Sequence, residues 1–294
     1  QGDCVVTHPG SIIRDLLTGK GCAPVPGCHD ALGALLIEQA GFPAVYMSGF
    51  SVSASFGKPD IGLLSMTDMV GRAQQIVDAT SQPVIADADT GYGGISNIAE
   101  TIRSFERAGV AAIHLEDQVM PKKCGAMPGK ALVPIEEMTL RLKAALAARS
   151  SKDFLIFGRT DAMTLTGLDD SIARIQAMEK AGVDAVMVPS LTTVEELRAV
   201  ADAVDVPVIY LTAETIRPIF STQELADAGW SMAIYALSLI QMAVAAQKSV
   251  LDALRETGTT ADMVDRMTRF ADVNALLGVD REAAFEAKIR EATV

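Results

Sequence analysis

Short apolar runs preceded by Ala-Gly recur along the chain. Ala40-Gly41 precedes Ala44–Met47, Ala108-Gly109 precedes Ala111–Leu115, Ala181-Gly182 precedes Ala185–Val188, and Ala228-Gly229 precedes Met232–Tyr235. Each glycine is placed to end an amphipathic helix, because it takes the left-handed C-cap conformation without steric cost. Each following run is apolar on both faces, as buried parallel strands are. Three more runs, Pro83–Ala86, Phe154–Phe157 and Pro207–Leu211, follow helical patterns at Thr67–Ala79, Ile135–Ala148 and Thr193–Val204. An opening strand at Ala23–Pro26 precedes a helix at Asp30–Gln39. Eight such units predict an α/β fold, a (β/α)8 TIM-type barrel, as one domain over residues 1–294. No GxGxxG follows the first strand, which disfavours a doubly wound open sheet. Beyond the last strand, residues 237–294 read as a C-terminal helical arm: Leu237–Leu254, Thr260–Phe270 and Arg281–Glu291. That is more helix than an eighth unit requires, and the arm is expected to join subunits in a dimer or tetramer.

Composition narrows the function classes. A net charge of -12 argues against nucleic acid and anionic membrane surfaces as partners. No apolar run approaches the roughly 18 residues of a membrane helix. The N-terminal residues lack the basic-then-apolar order of a signal peptide. Cys4, Cys22, Cys28 and Cys124 form no CxxC pair, so a reducing cytoplasm is the expected compartment. His8, His29 and His114 are too scattered for a histidine-based metal site. His114, inside an apolar strand, reads as a core residue.

In a barrel, the active site forms at the C-terminal ends of the strands. Tyr46, Ser48 and Gly49 follow strand 2, with Asp60 in a long Gly/Ser-rich loop beyond. Asp87 and Asp89 follow strand 3, and their spacing of two points both side chains the same way on an extended strand. Glu116 and Asp117 end strand 4, and Arg159-Thr160-Asp161 ends strand 5. Clustered carboxylates without His or thiolate partners suit Mg²⁺ or Mn²⁺. Arg159 is the natural fork for a small anionic substrate. Cys124, beside Lys122 and Lys123, is expected to have a thiol pKa biased downward and to handle a proton. A metal, an arginine and a loop thiol together suggest enolate chemistry on a 2-oxo or 2-hydroxy acid.

These stretches resemble the isocitrate lyase/phosphoenolpyruvate mutase superfamily. The matches include Ser48-Gly49-Phe50-Ser51-Val52-Ser53, Gly57-Lys58-Pro59-Asp60, Asp87-Ala88-Asp89-Thr90-Gly91, Leu115-Glu116-Asp117-Gln118, Lys122-Lys123-Cys124-Gly125 and Gly158-Arg159-Thr160-Asp161. The resemblance implies Mg²⁺ dependence, a gating loop around Cys124 and a tetramer with swapped C-terminal helices. By position, Asp87 looks like the direct metal ligand, with Asp60, Asp89 and Glu116 holding its waters. Tyr46, Ser48 and Gly49 look like binders of the 2-oxo acid end, and Arg159 like its carboxylate or phosphonate clamp. Lys122 and Cys124 look like the loop pair of carbon–carbon lyases acting on malate-type acids through a metal-stabilised enolate. Three positions depart from the lyase pattern: Ala126 replaces a His, Pro189 stands near an expected Glu, and Leu211 takes the place of an Asn. Ser190 and Thr212 sit where a phosphoryl-binding branch places hydroxyls. The alternative is therefore phosphorus–carbon chemistry, as a phosphoenolpyruvate phosphomutase or phosphonopyruvate hydrolase.

Overall fold

A computed structural model describes residues 8–292. Cys4 and the other N-terminal residues inspected for a signal-peptide pattern lie outside them. Eight parallel strands close into one barrel in sequence order, with the last strand paired to the first. They are β1 (Ala23–Cys28), β2 (Val45–Met47), β3 (Val84–Asp87), β4 (Ala112–Glu116), β5 (Leu155–Arg159), β6 (Ala185–Met187), β7 (Val208–Thr212) and β8 (Met232–Tyr235). All eight expected strands are present within two residues of their expected ends. Gly41, Gly109, Gly182 and Gly229, which precede β2, β4, β6 and β8, all have positive φ. The recurring Ala-Gly thus reports a helix stop that a side chain would strain.

Two apolar layers follow from strands buried on both faces. Tyr46, Ile85, Leu155, Phe157, Met187, Ile209 and Ile234 fill the barrel interior. Ile76, Ile102, Phe105, Leu142, Met178, Leu197 and Trp230 pack between the sheet and the surrounding helices. Helix starts carry reciprocal caps at Ser65/Asp68, Thr193/Glu196 and Ser221/Glu224, which satisfy otherwise orphaned N–H groups.

Three departures from the sequence reading are local. A helix at Pro9–Thr18, absent from that reading, packs Ile13 and Leu17 against the interior layer. The Gly/Ser-rich loop after β2 begins as a helix, Gly49–Ser55, because Ser48 accepts a hydrogen bond from Ser51 N–H at 3.3 Å and caps it. In the arm, Ser238–Thr257 and Val279–Ala292 match two expected helices, whereas Thr260–Phe270 resolves into a 3₁₀ segment at Ala261–Arg266 and a helix at Phe270–Leu276. None of the described helices is long and apolar enough to cross a membrane.

Phe105 is fully buried between sheet and helices. Phe105→Ala should lower the unfolding free energy by about 3–5 kcal/mol, read by urea denaturation. A loss below about 1 kcal/mol would mean that this layer does not hold the barrel together.

Candidate active site

The strand ends converge on one cavity lined by Tyr46, Ser48, Asp60, Asp87, Glu116, Lys122, Cys124, Arg159, Ser190 and Thr212. Asp89 and Gly49 stand just behind it. The Gly49 N–H donates to Asp87 Oδ2 at 3.3 Å, and the Asp89 N–H donates to Asp87 Oδ1 at 3.0 Å. The two aspartates do not converge by strand alternation, as the spacing suggested. β3 ends at Asp87, and Asp89 turns back with φ 50°. The non-glycine residues with positive φ are Asp89, Tyr92 and Ser190, all beyond the C-terminal ends of β3 and β6 among the described residues. Strain collected at one rim is the pattern of a functional site.

Charge dominates this rim. Asp60, Asp87, Asp89, Glu116 and Asp161 are buried, with Lys122 and Arg159 ion-paired among them. Lys122 Nζ lies 2.6 Å from both Asp60 Oδ1 and Asp89 Oδ1. Arg159 reaches Glu116 Oε2 at 3.1 Å and Asp161 Oδ1 at 3.0 Å. The arginine expected as a free substrate fork is thus already held by two carboxylates. Burial, helped by Asp87 and Asp60, pushes the Asp89 carboxyl up to about 6 despite Lys122. Burial also drives Glu116 well above the carboxylate range, against the pull of Arg159. Its Oε1 has no hydrogen-bond partner among the described residues.

Asp87 goes the other way. Burial opposes its charge, but His114, Lys122, Arg159 and the Asp89 N–H bring it down to about 2. Burial holds His114 itself down to about 4, so it is neutral at physiological pH. The two lysine and arginine charges therefore keep Asp87 ionised. His114 is a core residue, as expected, yet it is not idle: its Nε2 lies 2.8 Å from Tyr46 Oη and 3.7 Å from Asp87 Oδ1.

The loop after β4 brings Lys122 and Cys124 to the cavity. Cys124 N–H donates to the Asp60 carbonyl at 3.0 Å, Gln118 Nε2 to Asp161 Oδ2 at 2.5 Å, and Lys130 Nζ to the Gly125 carbonyl. The thiol expectation is corrected here. Burial raises the Cys124 pKa, and the neighbouring Arg159 and Lys122 charges do not reverse it. The sequence reading also passed over what lies beneath the rim. Buried Asp117 accepts from Thr160 Oγ1 at 2.6 Å and from Arg174 Nη1 at 3.1 Å, fixing the β4 and β5 ends. Asp117 was visible as part of an acid pair, but nothing in the sequence linked it to Arg174.

The donor set fits a hard divalent cation. It is all carboxylate, it carries excess negative charge, and it includes an unpartnered buried carboxylate oxygen. No group of three or more His, Cys, Asp or Glu converges as a ready-made ligand cluster among the described residues. An ion held mostly through water is the coordination that Mg²⁺ favours.

A closed parallel barrel with a cavity lined by charged residues at the C-terminal strand ends has the form of (β/α)8 enzymes. The profile of the phosphoenolpyruvate phosphomutase family matches residues 13–255, and the chain belongs to this family, within the isocitrate lyase/phosphoenolpyruvate mutase superfamily. It is 43% identical over 271 residues to the 2,3-dimethylmalate lyase of Eubacterium barkeri, covering 92% of this chain and 94% of that one. It is 40% identical over 282 residues to the 2-methylisocitrate lyase of Shewanella oneidensis, covering 95% and 96%. A crystal structure of phosphonopyruvate hydrolase in complex with oxalate and Mg²⁺ superposes with a TM-score of 0.87 at 31% identity, covering 96% and 99%.

A Cβ on Gly49 would lie 2.6 Å from Asp87 Oδ2 and 3.1 Å from its Cγ. Gly49→Ala should displace that carboxylate and reduce kcat/KM roughly a hundredfold, with little change in Tm. Full activity would remove Asp87 from the working site.

Proposed function

We propose that the protein is a Mg²⁺-dependent carbon–carbon lyase that splits a malate-type 2-hydroxy acid into a 2-oxo acid and a second carboxylic acid. The observation that carries this reading is the presence of Cys124 and Lys122 on the lining of the cavity that holds Asp60, Asp87, Glu116 and Arg159. Asp87 would hold the cation directly, and Asp60, Asp89 and Glu116 would hold its waters. Mn²⁺ has the same preference for hard oxygen ligands and should substitute. When bound, the cation supplies positive charge to the oxygens at the 2-oxo acid end.

The chain's own residues perform the remaining steps. Tyr46, Ser48 and the Gly49 backbone orient the acid, and Arg159 adds positive charge at its carboxylate. Asp60 takes the C2 hydroxyl proton. The C2–C3 bond breaks, C2 becomes the carbonyl of the 2-oxo acid, and the bonding electron pair remains on C3. The Cys124 thiol then protonates C3, and the proton on Asp60 returns to the thiolate, both residues lining the same cavity. A buried, protonated thiol suits this donor role better than the lowered pKa expected from sequence. Lys122 balances Asp60 and Asp89 while the proton moves.

The second reading is phosphorus–carbon chemistry. It draws on Ser190 and Thr212, whose side chains line the cavity, and on the Thr212 hydroxyl, which has no partner among the described residues. It leaves Cys124 without a task. The arm supports a homo-oligomer: Ser238–Thr257 has no buried residue, and Met242, Leu251, Phe270 and Phe285 are 68%, 63%, 81% and 60% exposed. Apolar surface on this scale requires a cover, and exchanged arms between subunits supply one. A cytoplasmic location accords with the free Cys22, Cys28 and Cys124.

Cys124→Ser should abolish release of 2-oxo acid from substituted malates while leaving Mg²⁺ binding intact. Retained lyase turnover would overturn the proton-donor role, and phosphorus NMR showing interconversion of phosphoenolpyruvate and phosphonopyruvate would establish the second reading. Because Asp89 and Glu116 must ionise to face a cation, the rise in Tm on adding Mg²⁺ should shrink as pH falls through 6. A pH-independent rise would place the ion elsewhere. Light scattering should find a dimer or tetramer, and a monomer would refute the role of the arm.

A further inference from the structure

Layering of the barrel interior brings together two residues from strands on either side of β3. Inward side chains of alternate strands share a layer in such barrels. Tyr46 on β2 and His114 on β4 meet in this way, their rings 13° from parallel with centroids 5.8 Å apart. His114 is fully buried, and its cross-strand partner on β3 is Asp87. Its Nε2 lies 2.8 Å from Tyr46 Oη and 3.7 Å from Asp87 Oδ1, whereas its Nδ1 is buried without a hydrogen-bond partner among the described residues. Tyr46 itself lines the cavity. The imidazole therefore stands one hydrogen bond behind the cavity wall, and the reaction steps given above leave it without a task.

The surroundings of the two ring nitrogens fix the direction of that hydrogen bond. Both neutral forms of the ring leave Nδ1 unpaired, so the choice depends on what is unpaired and on what Nε2 faces. With the proton on Nδ1, a buried N–H has nothing to receive it, which is the rarer kind of orphan, and the Nε2 lone pair faces the Asp87 carboxylate. A doubly protonated ring buries the same orphan N–H. With the proton on Nε2 alone, the orphan is a lone pair, and the N–H is turned toward two oxygens, Tyr46 Oη and Asp87 Oδ1. Resting on the place of Tyr46 against the acid in the lyase reading, we infer that His114 is a positioning residue: its Nε2–H donates to Tyr46 Oη and so commits the tyrosine's own proton to an oxygen of the bound acid. A hydroxyl has one proton to donate. With Oη accepting from His114, that proton turns into the cavity, where the carboxylate and carbonyl oxygens of a 2-oxo acid only accept. In the reverse direction, Oη would present lone pairs to those oxygens and repel them. Accepting a hydrogen bond also polarises the Tyr46 O–H and makes it the stronger donor.

Solid-state nitrogen NMR of the full chain with Mg²⁺, isotope-labelled at histidine nitrogen, reads the tautomer directly, and the His114→Gln spectrum identifies the signal. A proton on Nε2 and a bare Nδ1 are expected; a proton on Nδ1 would overturn the inference. Calorimetry of pyruvate binding in the presence of Mg²⁺ tests the consequence. Tyr46→Phe and His114→Met should each weaken binding about tenfold, the effect of one hydrogen bond to a charged acceptor. In the Tyr46→Phe background, His114→Met should cost nothing further. His114→Gln, whose side-chain amide keeps a donor on the Tyr46 side, should recover most of the affinity. A packing role alone would give additive losses and no recovery, and either result would overturn the positioning role. If the unsubstituted protein does not bind pyruvate, the lyase reading fails, and the NMR result by itself decides the direction of the hydrogen bond between His114 and Tyr46.

Discussion

The arrangement of the active-site rim depends on an imbalance of charge that the fold itself imposes. Closing the barrel buries Asp60, Asp87, Asp89, Glu116 and Asp161, with Lys122 and Arg159 ion-paired among them. Each cation spans two carboxylates, and still the acids outnumber them. The response of the protein is uneven: Asp87 stays ionised while Asp89 and Glu116 are driven toward the protonated form. Such a site stores an affinity for added positive charge, and its all-carboxylate donors suit a hard divalent cation.

The same imbalance ties the loop to the site. Lys122 is the only group on the 119–132 segment that reaches both Asp60 and Asp89, so the loop's position and the charge state of the rim are coupled. The loop holds Cys124 half-buried on the cavity lining. Burial outweighs the neighbouring cations and raises the thiol pKa, the reverse of the downward bias expected from the sequence. Opposite these charged groups, the ends of β6 to β8 contribute uncharged side chains to the cavity lining.

Much of this was legible in the chain. The glycines at 41, 109, 182 and 229 mark helix ends because their φ values require it, and the apolar runs after them are strands because both faces are buried. The acids at the ends of β3 and β4 could be located from the fold class, since barrel sites form at that rim. The helix at Gly49–Ser55 escaped notice because serine and glycine favour loops as readily as caps. The turn at Asp89 escaped because a positive φ on aspartate has no reliable signature in neighbouring residues.

Periodicity, helix stops and the identity of the acids are local properties, fixed by residues within a few positions of one another, and the sequence by itself determined them. The pairings of Lys122 with Asp60 across 62 positions, of Tyr46 with His114 across 68, and of Arg174 with Asp117 across 57 arise only when the strands close beside one another. Desolvation has the same origin, because the number of waters left around Cys124 or Glu116 is set by chain segments far away in sequence. Only the tertiary structure decided which carboxylates are ionised, which form of the thiol is present, and where the cavity changes from charged to apolar.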